Sequence, residues 1–188
     1  MGYDPYGTFD FTGVFVGLAI VTSTIIIVAF LGTLTPVGAL VATGAIATGL
    51  AVTYAAATDS AMVVDLSISG PTFGGTHVKG GVSFVIDFDA DEANLYTHGG
   101  GGFGSGSGPT YSSGIIENYQ GPESISGHSV SCSGGFNGIS VDHSWDPTND
   151  YNSTLKTTTF TIAPFAISPM SANLTYETYS YPFKFLEW

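Results

Sequence analysis

MVVDLSIS, Met62 to Ser69, and GGVSFVIDFD, Gly80 to Asp89, decide how this chain folds. In the first, Val64, Leu66 and Ile68 fall two apart. In the second, Val82, Phe84, Ile86 and Phe88 do the same, opposite Ser83, Asp87 and Asp89. Side chains of an extended backbone alternate between its two faces, so this period reads as strands with one buried face. The expectation is that the apolar face is the inward one. Comparable runs follow at ANLYTHGGGGFG (Ala93–Gly104), TYSSGIIENY (Thr110–Tyr119), GHSVSCSG (Gly127–Gly134), GFNGISVDHS (Gly135–Ser144), TLKTTTFTIAPF (Thr154–Phe165) and ANLTYETYSYPFKF (Ala172–Phe185). ADE, GSGSGP, QGPES and WDPTND separate them with turn chemistry. About eight short strands joined by hairpin-sized loops predict a small antiparallel β-barrel or β-sandwich over residues 61–188.

Upstream the chemistry changes. Between Asp10 and Asp59 lie 48 residues without Asp, Glu, Lys or Arg. A secretory signal has a basic start and a far shorter apolar core, so it does not fit. Two helix-length stretches do: Phe11–Leu34 and Val37–Thr58, around a turn at GTLTPVG, where Pro36 ends a helix and the glycines permit reversal. Residues 11–58 are therefore expected to be a hydrophobic, transmembrane-like helical hairpin. Its membrane-inserting residues would be Ile25, Ile26, Ile27, Phe30 and Leu31 in the first arm and Val41, Ile46 and Leu50 in the second. The second arm is diluted by Gly, Ala and Thr. Small residues at Gly13, Gly17 and Gly44 suit close helix packing. The whole is expected to be α+β, a hairpin followed by a Gly/Ser-rich antiparallel β-domain.

Composition narrows the function. Net charge is −12 and the only lysines are Lys79, Lys156 and Lys184, with no arginine, so nucleic acid is not an expected partner. Cys132 is the one cysteine, which excludes an intrachain disulfide and reads as a small buried hydrophobe.

GYDPYG at Gly2–Gly7, followed directly by TFDFTGVFVGLAIV, resembles the junction of RHS/YD-repeat proteins, where an Asp-Pro-x-Gly turn gives way to a variable C-terminal toxin. Asp4, Pro5 and Gly7 carry the likeness, and residues 1–10 are read as this junction-like turn. YSSGIIENYQGPESISGHS, Tyr111–Ser129, has the style of a polymorphic-toxin domain. The resemblance implies a secreted effector delivered to the membrane of a target cell. Its partners would be an RHS carrier shell, a cognate immunity protein, the target membrane and further copies of itself within it. Insertion or pore formation by the hairpin is the leading expectation, since a helix satisfies its own backbone in lipid. An enzymatic toxin with hydrolase or transferase chemistry in the β-domain, and a surface-displayed binding module, are the alternatives.

For the enzyme, the densest cluster is VDHSWDP. Asp142 and His143 are adjacent and face opposite sides of a strand, so Asp142 would have to meet His128 from a neighbouring strand, beside Ser129 or Ser131. His128, Asp142 and His143 are the candidate catalytic residues. GGGGFGSGSGP lacks the Gly-Lys-Ser/Thr ending of a phosphate loop and reads as a hairpin connection. His77, His98, His128 and His143 show no paired spacing, so neither a metal nor a cofactor is expected. At the C-terminus, Tyr179, Tyr181, Phe183 and Phe185 alternate like the aromatic end of an outer-membrane barrel strand. TLKTTTFT and GHSVSCSG are too polar for the apolar bands that a barrel in lipid needs on every strand, so the β-domain is expected to be soluble, with its apolar residues in a core.

Overall fold

The computed structural model describes residues 36–58, 60–104, 108–148, 154–163 and 170–187. Helix α1 (Pro36–Ala57) precedes nine strands: β1 (Ala61–Pro71), β2 (Thr76–Asp87), β3 (Glu92–Phe103), β4 (Gly108–Glu117), β5 (Gly127–Phe136), β6 (Ile139–Trp145), β7 (Lys156–Ile162), β8 (Met170–Tyr179) and β9 (Phe183–Glu187). All pairings are antiparallel. The order β2-β1-β4-β7-β6-β5-β8-β3 closes through β2–β3 into an eight-stranded barrel, and β9 continues the line of β8 along the first half of β3. Strands β1 to β3 form a meander and β4 returns beside β1. Strands β5 to β7 repeat the pattern and β8 returns beside β5. These are two Greek keys sealed edge to edge.

Register gives the barrel its dimensions. A row of partners starting at Met62 passes through Ile115, Thr158, His143, Cys132, Leu174, Phe103 and Thr76. It returns to Thr72, ten residues further along and just beyond the end of β1, where the Thr72 N–H donates to the Thr76 carbonyl. Eight strands with such a stagger tilt by roughly 40° and leave an interior only just wide enough for side chains. One hairpin, β5–β6, turns on Asn137 (φ 51°) and Gly138 (φ 80°). Both central residues sit in the left-handed region that a two-residue turn of matching twist demands. The run GFNGISVDHS, expected as a strand, thus contains the reversal itself.

The strand expectation holds at the level of a closed antiparallel barrel; which face points inward does not. Alternation places Asp65, Ser67 and Ser69 of β1 inside and Val64, Leu66 and Ile68 outside. On β2, His77 and Ser83 are buried inward, while Val78, Val82, Phe84 and Ile86 line the outer wall. The two runs called too polar follow the same rule. Ser129, Ser131 and Ser133 face the lumen against Val130, Cys132 and Phe136 outside; Thr157, Thr159 and Thr161 face it against Phe160 and Ile162. Cys132, expected to be buried, is exposed on this outer wall.

Helix α1 covers part of that wall. Ala51, Val52 and Ala55 pack with Met62 and, around it, Val64, Ile86 and Phe88. Further up the helix Gly44 lies against Ile162 and Tyr111, so close to the Ile162 methyl that a Cβ there would collide. The small-residue composition serves a helix-on-barrel contact. Of the expected hairpin, the first arm with Ile25, Ile26, Ile27, Phe30 and Leu31, and the junction residues Asp4, Pro5 and Gly7, lie outside the described residues. The second arm is α1, which carries Val41, Ile46 and Leu50; Leu50 is exposed and Ile46 half-buried. No helix among the described residues is long and apolar enough to cross a membrane.

Candidate functional site

The lumen divides into two parts. Toward the β2–β3 and β4–β5 turns it is filled by Ala61, Val63, Val85, Tyr96 and Ile116, with Tyr119, Ile125, Leu155 and Tyr179 packed against them. Tyr96 is completely buried, and its hydroxyl donates to the carbonyl of Pro122 at 2.7 Å, tying the 3₁₀ turn Pro122–Ile125 across that end. The remainder is polar. A cavity of about 100 Å³ is walled mainly by serine and threonine from β1 and β4 to β8, together with Asp65, His77, Lys79, Asp142 and Glu177.

Charged groups cross the lumen at one level. His98 Nε2 meets Asp65 Oδ1 at 2.7 Å and His98 Nδ1 meets Glu177 Oε1 at 3.0 Å. Lys79 Nζ reaches Glu177 at 3.2 Å, and the Ser83 hydroxyl donates to Asp65 at 2.6 Å. Tyr179 stacks on the imidazole at a centroid distance of 5.0 Å. Four strands, β1, β2, β3 and β8, are thereby pinned from within. Glycine makes room for the large groups: Gly81 is opposite His98 and Gly100 opposite Glu177. A Cβ at Gly81 would strike the Leu66 carbonyl, Ser67 and the His98 ring, and one at Gly100 would strike the Tyr176 carbonyl.

Because both His98 nitrogens face carboxylates, both donate, and the ring is an imidazolium. Burial works to lower its pKa, but the bonds to Asp65 and Glu177 outweigh that and raise it to about 9. Burial likewise works to raise Asp65 and Glu177. The hydrogen bonds from His98, with the charge of Lys79, hold both below their ordinary values. Asp142 differs. Burial raises its pKa against the hydroxyls of Thr161 and Ser133 and the charge of Lys79. His77 is pushed down by burial and by Lys79; its Nε2 pairs with Thr175 Oγ1 at 3.0 Å and its buried Nδ1 has no protein partner. The adjoining polar space is large enough for water to serve such an atom.

The sequence candidates do not assemble. Asp142 lines the lumen, opposite Ser133. His128 and His143 are on the outer wall, where His128 stacks on Tyr176 and His143 bonds Thr158 Oγ1 at 3.0 Å. A carboxylate inside the barrel and two imidazoles outside it share no reaction site. The pinned imidazolium is not a general base either, since both its nitrogens are engaged. Asp65, His98, Glu177 and Lys79, the cluster that does form, escaped sequence reasoning. Its members are up to 112 residues apart in sequence and come together only on closure, and their one local signal is ionisable residues at mid-strand.

Outside, Leu66, Ile68, Val78, Phe103, Phe136, Val141, Met170, Leu174 and Tyr176 are all exposed. The only Asp, Glu, Lys or Arg on the outward register of the barrel strands β1 to β8 are Glu117 and Lys156, facing each other at one end. Among the described residues no cluster of three or more His, Cys, Asp or Glu is arranged to hold a metal ion. No family model matches the chain, and no curated protein or solved structure does either.

Proposed function

We propose that this chain acts on membranes and that the barrel, rather than the helical segment alone, is the element that resides in lipid. One observation carries the reading: the outer wall of the barrel strands is largely apolar, whereas the lumen beyond its apolar plug is lined by serine, threonine and paired charge. A water-filled exterior favours the opposite arrangement, because exposing contiguous apolar surface to water costs about 25 cal/mol per Å². A hydrocarbon exterior favours this one, with every backbone group of a closed sheet already paired. Helix α1 then packs at the barrel's lipid-facing side. Eight strands leave a lumen that side chains fill, so permeabilisation would come from several copies acting together rather than from one barrel's bore. The RHS-like turn at Gly2–Gly7 supports delivery from an RHS-type carrier to a target-cell membrane, with an immunity protein guarding the producer.

Flotation of the full chain with protein-free liposomes tests this. The protein should rise with the vesicles, resist high-salt extraction and release an entrapped dye. Retention in the aqueous fraction at every lipid-to-protein ratio would end the reading. Flotation without leakage would keep the membrane location and remove permeabilisation.

A further inference from the structure

The two rims of the barrel are chemically opposite. One rim holds the β1–β2 and β5–β6 turns and, beside them, Phe103, Gly104, Gly108, Ala163 and Met170 at the adjoining strand ends. Among the described residues, these turns and strand ends contain no Asp, Glu, Lys, Arg or His. Phe73, at the tip of the β1–β2 turn, is 98% exposed, and Phe103, Phe136 and Met170 around the same rim are 67%, 62% and 71% exposed. The opposite rim carries Asp87, Asp89, Asp91, Glu117, Glu123 and Asp146 at the β2–β3, β4–β5 and β6–β7 connections.

Resting on the membrane reading above, we infer that the charge-free rim is the leading edge: it enters the bilayer first, and the acidic rim stays in the water on the side of arrival. Carrying ionised carboxylates through hydrocarbon is costly, whereas aromatic rings settle readily at the interface and below it. The occupant of this surface is a bilayer of neutral, zwitterionic lipid. Anionic headgroups gain nothing from a chain this acidic that offers three lysines, one of them inside the lumen. The orientation also fixes the lumen. Ser69, Thr110, Ser140, Ser171 and Asn173 line the polar cavity toward the leading rim, and Tyr96, Ile116, Ile125 and Leu155 block it toward the trailing one. The polar mouth faces the far side and the apolar plug faces the side of entry.

Site-specific labelling of the full chain tests the direction. In a Cys132→Ser background, an environment-sensitive dye is attached at Phe73→Cys or at Asp89→Cys, and phosphatidylcholine vesicles are added with an impermeant quencher outside. The Phe73→Cys label should shift to the blue and become protected, while the Asp89→Cys label stays quenchable. Phe73→Asp should lower vesicle partitioning at least about tenfold, and Asp89→Asn should leave it unchanged. Protection of the Asp89 label, or quenching of both labels in protein that still floats, overturns the orientation and leaves membrane residence standing. A blue shift of the Phe73 label that depends on protein concentration and needs no lipid assigns the rim to a second copy and also overturns it. Loss of flotation in the unsubstituted protein removes the membrane reading and the inference together.

Discussion

Inner and outer walls of this barrel are built from the same strands, residue by alternate residue, yet they solve opposite problems. Val64 and Leu66 face outward on either side of Asp65, which is buried and bonded to His98 and Ser83. Inside, space is scarce, so charge is tolerated only where it is paired and where glycine leaves room. Outside, beyond the strip that α1 packs against, shape constrains less and polarity decides. A substitution's cost should thus depend on which wall it strikes, even one residue apart.

The hardest blow to the inner wall is His98→Ala. It strands Asp65 and Glu177 without their shared cation, and removing one member of a buried ion pair typically costs about 3–5 kcal/mol. Urea denaturation should show a loss of that order; an unchanged midpoint would mean the cluster is solvated rather than pinned.

On the outer wall the counterpart is Leu174→Asp, on the exposed side of β8. A lipid-facing charge in a membrane barrel costs about 2–4 kcal/mol near the midplane. Vesicle partitioning should fall accordingly while unfolding in lipid-free buffer hardly changes. Ile26→Asp sharpens the contrast. If the barrel is the inserted element, its effect on partitioning should be the smaller of the two.

Gly81→Ala returns to the inner wall at a smaller scale. The added methyl meets the Leu66 carbonyl and the His98 ring, and overpacking of this kind costs about 1–3 kcal/mol. A neutral result would show that the barrel relaxes around it.

Titration should reveal the cluster as a window. His98 has its pKa raised above the unfolded value, so its contribution is fully present below about pH 6.5 and disappears as pH rises through about 9. Asp65 and Glu177 have theirs lowered, so their contribution is present above the ordinary carboxylate range and is lost as pH falls through the depressed values. Stability should therefore decline on both sides, and the alkaline decline should vanish in His98→Ala. Smallest of all is His128→Ala: an outward ring stacked on Tyr176 should alter unfolding by no more than about 0.5 kcal/mol and leave membrane activity intact. Loss of toxicity in that folded variant would restore the enzymatic alternative.

Much of the barrel was legible in the chain. Period-two alternation marked the strands, and Gly- and Pro-rich segments marked most turns, although the Asn137-Gly138 reversal was absorbed into a strand. The cluster was not legible, because Asp65, Lys79, His98 and Glu177 each sit on the polar face of a strand and look like solvent-facing residues. What the sequence by itself determined is which residues share a face: a side-chain period of two puts Val64 with Leu66 and Asp65 with Ser67 in any strand. Only the tertiary structure decided which of those faces looks inward. Local alternation is the same for a strand and its inside-out twin. The choice is made when eight strands close with a stagger of ten: the lumen admits serine, threonine and paired charge, with an apolar plug of Val63, Val85, Tyr96 and Ile116 at one end, and most of the other bulky apolar side chains are left on the outside.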